Sequence, residues 1–102
     1  TDGLTLSGGE PFAQPEDCLR LARIAHAHGL NVWSYSGWTF EYLRDQGTAA
    51  QRELLEELDV LVDGPFLLDQ RTLALPWRGS RNQRVIDVPA SLASGDAVLR
   101  PD

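Results

Sequence analysis

The sequence predicts an α/β fold with a parallel sheet or barrel. Short β-rich segments alternate along the chain with segments whose apolar residues recur at helical spacing. The continuous apolar run Val60-Leu61-Val62 is typical of a strand covered on both faces, and such strands are parallel and central. Of the 102 residues, 42% are apolar and 24% charged, which is ordinary for a globular protein. We therefore expect residues 1–102 to form one α/β domain.

The first predicted elements are a short strand over residues 4–6 and a helix over residues 15–28. Pro15 suits the first helical position, and Gly29 suits the left-handed cap that ends a helix. The expected apolar stripe of this helix consists of Cys18, Leu21, Ala22 and Ala25, with Leu19 and Ile24 on its borders. A lone cysteine on such a stripe predicts a buried structural thiol.

The later elements follow from local signals of the same kind. Residues 30–36 are rich in β-forming side chains, and Gly37 turns the chain into a short helix over residues 39–44. Thr48 and Gln51 match a capping box, which predicts a further helix. Residues 85–88 and 97–99 are expected to be strands, and residues 89–95 a connector. Glu53, Glu56, Glu57 and Asp59 are expected to form an exposed acidic face, and His26 and His28 to have structural or surface roles.

Composition limits the classes of function. The net charge of −6 makes nucleic acid a poor partner, because phosphate neutralisation supplies most of that affinity. No apolar run approaches the ~20 residues of a membrane helix, and no signal-peptide pattern occurs, so we expect a cytoplasmic protein without a membrane partner. The only cysteine, Cys18, excludes an internal disulfide and a multi-cysteine metal site within this chain.

Three polar groups follow the predicted strands and should share one site, because ligands bind at the carboxyl ends of parallel strands. They are residues 7–11, Ser34 and Ser36 with Gly37, and Asp63 with Gly64 and Pro65. Paired glycines let a ligand approach the backbone closely, and the Glu10 carboxylate suits an ammonium group. A phosphate loop would need a lysine, which is absent. The alternatives are a plain turn with a solvated Glu10, ordinary strand serines, and a turn-forming Asp63.

The segment Leu4-Thr5-Leu6-Ser7-Gly8-Gly9-Glu10-Pro11-Phe12 resembles the GGEP segment of radical S-adenosylmethionine (SAM) enzymes, especially the activases of glycyl-radical enzymes. The resemblance implies a partial (β/α)6 barrel, truncated at its N-terminus, in which Gly8, Gly9 and Glu10 hold the amino group of SAM. It also implies that Ser34 and Ser36 lie near the ribose or carboxylate and that Asp63 hydrogen-bonds SAM.

Residues 31–38, 59–66 and 75–87 narrow the resemblance to activases that act on anaerobic ribonucleotide reductases. Such an activase cleaves SAM reductively, and the resulting radical takes hydrogen from a glycine of the reductase large subunit. An electron donor such as flavodoxin is implied for the parent protein. The alternatives are a pyruvate formate-lyase-type activase, a deazaguanine synthase, or a non-catalytic interaction domain.

The resemblance also implies a [4Fe–4S] cluster held by a Cys-x3-Cys-x2-Cys loop upstream of GGEP, and this chain lacks that loop. The chain begins directly on a strand, so we expect a fragment whose N-terminal part is missing and which is inactive alone. We assign it neither metal ligands nor catalytic residues. Arg78, Arg81 and Arg84 form a local positive patch that is either a solvated loop or a docking surface for the reductase.

Overall fold

The computed structural model describes residues 3–6, 10–64 and 83–100, and these form an α/β fold. One sheet contains four strands in chain order, namely β1 (Gly3–Leu6), β2 (Asn31–Ser36), β3 (Val60–Asp63) and β4 (Arg84–Asp87). Strands β1, β2 and β3 are parallel, whereas β4 is antiparallel to β3. The α/β class is therefore confirmed, but the expectation of a wholly parallel sheet is wrong at β4. The partial barrel stays a prediction.

The helices cover one face of this sheet. They are the 3-10 helix η1 (Pro11–Ala13), α1 (Pro15–Ala27), α2 (Phe40–Gln46), α3 (Ala49–Glu56) and α4 (Val88–Ser94). The main core combines strand residues such as Val32, Leu61 and Ile86 with apolar residues of these helices. Val60 to Asp63 are all buried, as expected for a central strand.

A second, smaller cluster lies on the other face of the sheet. It contains the buried residues Val60, Val62 and Val85, with Trp33 and Tyr35 packed partly buried against them. The guanidinium of Arg100 lies 5.1 Å from the centre of the Trp33 ring, which is a cation–π distance. Both faces of the sheet therefore carry packed side chains.

Side-chain caps explain where α2 and α3 begin. The Thr39 hydroxyl accepts a 3.1 Å hydrogen bond from the Tyr42 N–H at the start of α2. Thr48 and Gln51 form the predicted capping box, with distances of 3.1 Å and 2.9 Å. The Gln51 amide also donates to the Phe12 carbonyl at 2.8 Å, so the start of α3 is linked to η1.

The buried stripe of α1 differs from the prediction. Leu19, Ala22 and Ala25 face the core, whereas Leu21 is 49% exposed. Each residue turns the helix by about 100°, so a stripe centred on Ala22 leaves Leu21 at its edge. Cys18 is only partly buried against the core, and this burial, followed by the charges of Asp17 and Glu10, raises the pKa of its thiol.

The C-terminal elements also differ from expectation. Residues expected to be a connector form α4, because the Asp87 carboxylate accepts a 3.0 Å hydrogen bond from the Ala90 N–H and caps the helix. Gly95 ends α4 with a left-handed φ of 88°. Instead of a full edge strand, only an antiparallel bridge joins Leu99 to Ile86. Within the three described ranges, no helix is long and apolar enough to cross a membrane.

Candidate functional site

Glu10, which stands just before η1, contacts the first residue after β2. One carboxylate oxygen, Oε1, accepts a 2.6 Å hydrogen bond from the N–H of Gly37. The other, Oε2, accepts a 3.1 Å hydrogen bond from the N–H of Phe12 and so caps η1. The side chain is half-buried. The start of η1 and the end of β2 therefore meet at one carboxylate, whose plane is set by backbone donors.

Three neighbouring residues at one end of β2, β3 and β4 stabilise the segment that follows β2. Ser36 pairs with Asp63, and Asp63 pairs with Arg84. The Ser36 hydroxyl accepts from the Trp38 N–H at 3.0 Å. A carboxylate oxygen of Asp63 accepts from the Phe40 N–H at 2.6 Å. Together with the Glu10 contact, these bonds bind three backbone N–H groups between residues 37 and 40.

Arg84 lies between two carboxylates at this edge of the sheet. Its Nε and Nη2 donate to Asp63 at 3.0 Å and 2.6 Å. Its Nη2 and Nη1 donate to Glu41 at 2.6 Å and 3.2 Å. Asp63 is only 1% exposed. These bonds raise the pKa of Arg84, and the Arg84 guanidinium lowers the pKa of Glu41, so the charged forms of Arg84 and Glu41 are favoured.

The other sequence-predicted residues occupy different surroundings. Ser34 is fully buried, and its hydroxyl donates to the Tyr35 carbonyl at 3.1 Å. It pairs with Leu61, which belongs to the helix-covered core. Arg84 is a residue of β4 rather than of the polar segment before it. Gly8, Gly9, Arg78 and Arg81 lie outside the described residues.

Glu41 is the residue of this network that the sequence did not reveal. It stands in the first turn of α2, where an acidic residue is common because it complements the helix dipole. That local reason concealed its bond to Arg84, which lies 43 positions later. The register of β3 with β4 places Arg84 beside Asp63, and the bond from the Phe40 N–H to Asp63 places Glu41 near them.

A second polar cluster lies at the other end of the strands, where β2 and β3 begin. The two ring nitrogens of His26 contact Glu57 at 3.0 Å and Asp59 at 2.9 Å. The Asp59 carboxylate also accepts from the Val32 N–H at 2.7 Å. The expectation of a plain exposed acidic face is therefore wrong for Glu57 and Asp59. Both carboxylates bind His26 of α1 and so link this helix to the segment just before β3.

The donor set does not fit an iron–sulfur cluster. A [4Fe–4S] cluster needs thiolate ligands, typically four, and the sequence contains only Cys18. Its raised thiol pKa disfavours the thiolate. In the part of the chain that the structure describes, no group of three or more His, Cys, Asp or Glu side chains could hold a metal ion.

Comparison with known proteins identifies the relatives of this chain. Anaerobic ribonucleoside-triphosphate reductase-activating proteins are 40% identical in Salmonella typhimurium and 38% in Escherichia coli K12, each over 87 residues. Each match covers 81% of this chain and 54% of the relative. The Vibrio cholerae protein of the same name is 39% identical over 85 residues, which is 79% of this chain and 52% of that relative.

The chain therefore spans about half the length of the curated relatives that it matches. No solved structure gives a significant match. The protein family described as "4Fe-4S single cluster domain" matches residues 1–86, which is most of the chain. The chain belongs to this 4Fe-4S single cluster domain family.

Proposed function

We propose that this chain is the SAM-binding part of a cytoplasmic activating protein for anaerobic ribonucleotide reductase. The relatives that bear this name support the proposal, since they are 36–40% identical. The observation that carries it is the Glu10 carboxylate, which lies beside the end of β2 and is oriented by the Gly37 and Phe12 N–H groups.

The chemistry of this edge favours the ammonium group of SAM. A carboxylate oxygen has two acceptor positions, so Glu10 keeps capacity for an N–H donor of a ligand beside its two backbone bonds. In contrast, the N–H groups of Gly37, Trp38 and Phe40 are already bound to side chains of this chain. An anionic group would therefore find few donors in this turn. In the proposal, Gly8 and Gly9 let the ligand approach the backbone closely.

We propose different roles for the three other residues that the resemblance places near SAM. Ser36 is buried and accepts from the Trp38 N–H, but it directly precedes Gly37, whose N–H contacts Glu10, and it is therefore proposed to lie beside the ribose or carboxylate of SAM. Ser34 and Asp63 are buried and already hydrogen-bonded, so we propose that they position the strand ends. The parallel order β1-β2-β3, with helices on one face, supports a segment of a (β/α)6 barrel whose interior is the other face.

The proposed reaction is the one-electron reductive cleavage of SAM to methionine and a 5′-deoxyadenosyl radical. This radical takes a hydrogen atom from a glycine of the reductase and leaves a glycyl radical there. The described residues bind and orient SAM. With one cysteine, the chain supplies no electron-transfer group of its own, and in the proposal a donor such as flavodoxin provides the electron to the intact protein.

Glycyl-radical formation tests this function. The intact protein is incubated anaerobically with the reductase, SAM and a reductant, and the glycyl radical is measured by electron paramagnetic resonance. We expect a radical with the wild type and a reduced yield with Glu10→Gln at limiting SAM, which excess SAM restores. Glu16→Gln is the matched control, because Glu16 is exposed on the first turn of α1.

Two results would overturn the assignment. A radical on pyruvate formate-lyase but not on the reductase would indicate a different activase. An intact protein that binds no SAM would indicate a non-catalytic interaction domain.

Docking onto the reductase is a separate part of the proposal. Arg78 and Arg81 are proposed to contact an acidic surface of the large subunit. The double variant Arg78→Ala/Arg81→Ala should weaken the complex measured by pull-down or sedimentation, whereas Arg20→Ala on the exposed side of α1 should not. An unchanged complex would remove these residues from the interface.

A further inference from the structure

We propose that Arg84 is a positioning residue for the SAM site, acting through Asp63 and Glu41 on the turn that orients Glu10. This inference rests on the proposed function, because it concerns the same carboxylate. Arg84 is not a ligand contact in this scheme. Its guanidinium is already bound to two carboxylates of the chain, with four hydrogen bonds of 2.6 to 3.2 Å.

The first step of the argument is the charge at the start of α2. Asp63 accepts from the Phe40 N–H, and Glu41 is the next residue along the helix. Two carboxylates therefore converge on one helix end, one of them almost fully buried. The helix dipole favours both, but their mutual repulsion in a partly buried setting opposes this arrangement. Arg84 lies between them and compensates that repulsion.

The second step is the connection from α2 to Glu10. Phe40 stands three positions after Gly37, and the Trp38 N–H between them is bound to Ser36. The Asp63 carboxylate is itself bound by Arg84. The bonds to Ser36 and Asp63 thus hold one side of a short turn. Its other side is the Gly37 N–H, which contacts Glu10 at 2.6 Å. A displacement of α2 would therefore move a donor that sets the plane of the Glu10 carboxylate.

The third step is the consequence for binding. A carboxylate held in its binding orientation before the ligand arrives avoids the cost of ordering it on binding. Without Arg84, the turn and Glu10 would sample other orientations, and SAM affinity would fall. Because Arg84 does not touch the reacting atoms, the effect should appear in the Kd and KM for SAM and leave kcat nearly unchanged.

The test compares variants of the intact protein that carries this chain. Arg84→Gln should raise the Kd and KM for SAM about tenfold, the size expected when a charge-assisted hydrogen-bond network is lost. Arg84→Lys keeps the charge but not the paired geometry, and it should recover part of the affinity. Arg20→Gln, which removes an exposed guanidinium paired with Asp17, should leave the affinity unchanged.

Hydrogen exchange gives a readout that is independent of activity. The amides of Gly37, Trp38 and Phe40 should exchange faster in Arg84→Gln, whereas strand amides such as that of Leu61 should not. If Arg84→Gln does not fold, Glu41→Gln decides the question. It removes only the outer carboxylate, which is 45% exposed, and it should loosen the same three amides more weakly.

The outcomes separate this inference from the proposed function. Wild-type protein that binds SAM, with weakened binding in Glu10→Gln and unchanged binding and exchange in Arg84→Gln, would overturn the role of Arg84 alone. Wild-type protein that does not bind SAM would overturn both. A fall in kcat at constant KM would also contradict a positioning role.

Discussion

The Glu10 carboxylate accepts a 2.6 Å hydrogen bond from the N–H of Gly37, 27 positions later in the chain. This bond joins Glu10 to the turn after β2, and these belong to two of the three groups that the sequence pattern predicts to share a ligand site. The orientation of the Glu10 carboxylate therefore depends on the turn that begins at Gly37. The functional proposal is based on this dependence.

Gly37→Ala should perturb this contact without removing it. A Cβ at position 37 would lie 3.3 Å from Oε1 of Glu10, so the carboxylate must move by a few tenths of an ångström. We expect a moderate loss of SAM affinity, about two- to fivefold, measured by equilibrium dialysis with the intact protein. Glu16→Gln, an exposed change on the first turn of α1, is the control. An affinity equal to that of the wild type would show that SAM binding does not depend on the Glu10–Gly37 contact.

Asp63→Asn should destabilise the protein. The buried carboxylate satisfies the Phe40 N–H and two donors of Arg84, and an uncharged amide cannot pair with the guanidinium in the same way. We expect the free energy of unfolding to fall by about 2 kcal/mol, measured by urea denaturation. Asp45→Asn removes a carboxylate from an exposed pair with Arg44, and its effect should be below about 0.5 kcal/mol. Equal effects would argue against a stabilising network.

His26 should make stability depend on pH. Carboxylates only accept hydrogen bonds, so both ring nitrogens donate when His26 is protonated. The bonds to Asp59 and then Glu57 raise the pKa of His26 from 6.5. The stabilisation is therefore complete below pH 6.5 and is lost as the pH rises through the folded-state pKa.

The variant His26→Gln should lack this decline in the free energy of unfolding above pH 6.5. His28→Gln serves as the control, because among the described residues the His28 ring contacts the Ile24 carbonyl of its own helix and no carboxylate. Parallel pH profiles for the wild type and His26→Gln would contradict the assignment.

Gly47→Ala should destabilise the junction of α2 and α3. Gly47 is buried, and a Cβ there would collide with the Leu43 carbonyl oxygen of the preceding helix. The backbone cannot yield without disturbing the Thr48 cap, so we expect a loss of about 1 to 3 kcal/mol in thermal or urea unfolding. Gly95→Asn, at a left-handed position with no atom near the added Cβ, should change stability much less. A neutral Gly47→Ala would show that α2 can shift freely.

The sequence predicted the elements whose signals are local. The Thr48–Gln51 capping box, the buried run of β3 and the extent of α1 depend on nearby residues, and the structure has all three. The connector expected over residues 89–95 is wrong, because Asp87 caps a helix there and a proline near the start of a helix is tolerated.

The part that could not be predicted depends on register. The antiparallel direction of β4 brings Arg84 beside Asp63, and nothing within residues 84–87 specifies that direction. The same applies to the His26 cluster, whose carboxylates lie 31 and 33 positions away. The topology alone predicted that polar groups after the strands would lie near one another. The hydrogen-bond partner of each group could be identified only from the three-dimensional structure.

The measurement that tests the central claim most directly is the affinity of the intact protein for SAM, determined by isothermal titration calorimetry under anaerobic conditions. The account predicts that Glu10→Gln weakens binding at least about tenfold, because a charge-assisted bond to an ammonium group is lost. Glu16→Gln, which changes the net charge equally on exposed α1, should bind like the wild type. Equal affinities for the wild type and Glu10→Gln would contradict the claim.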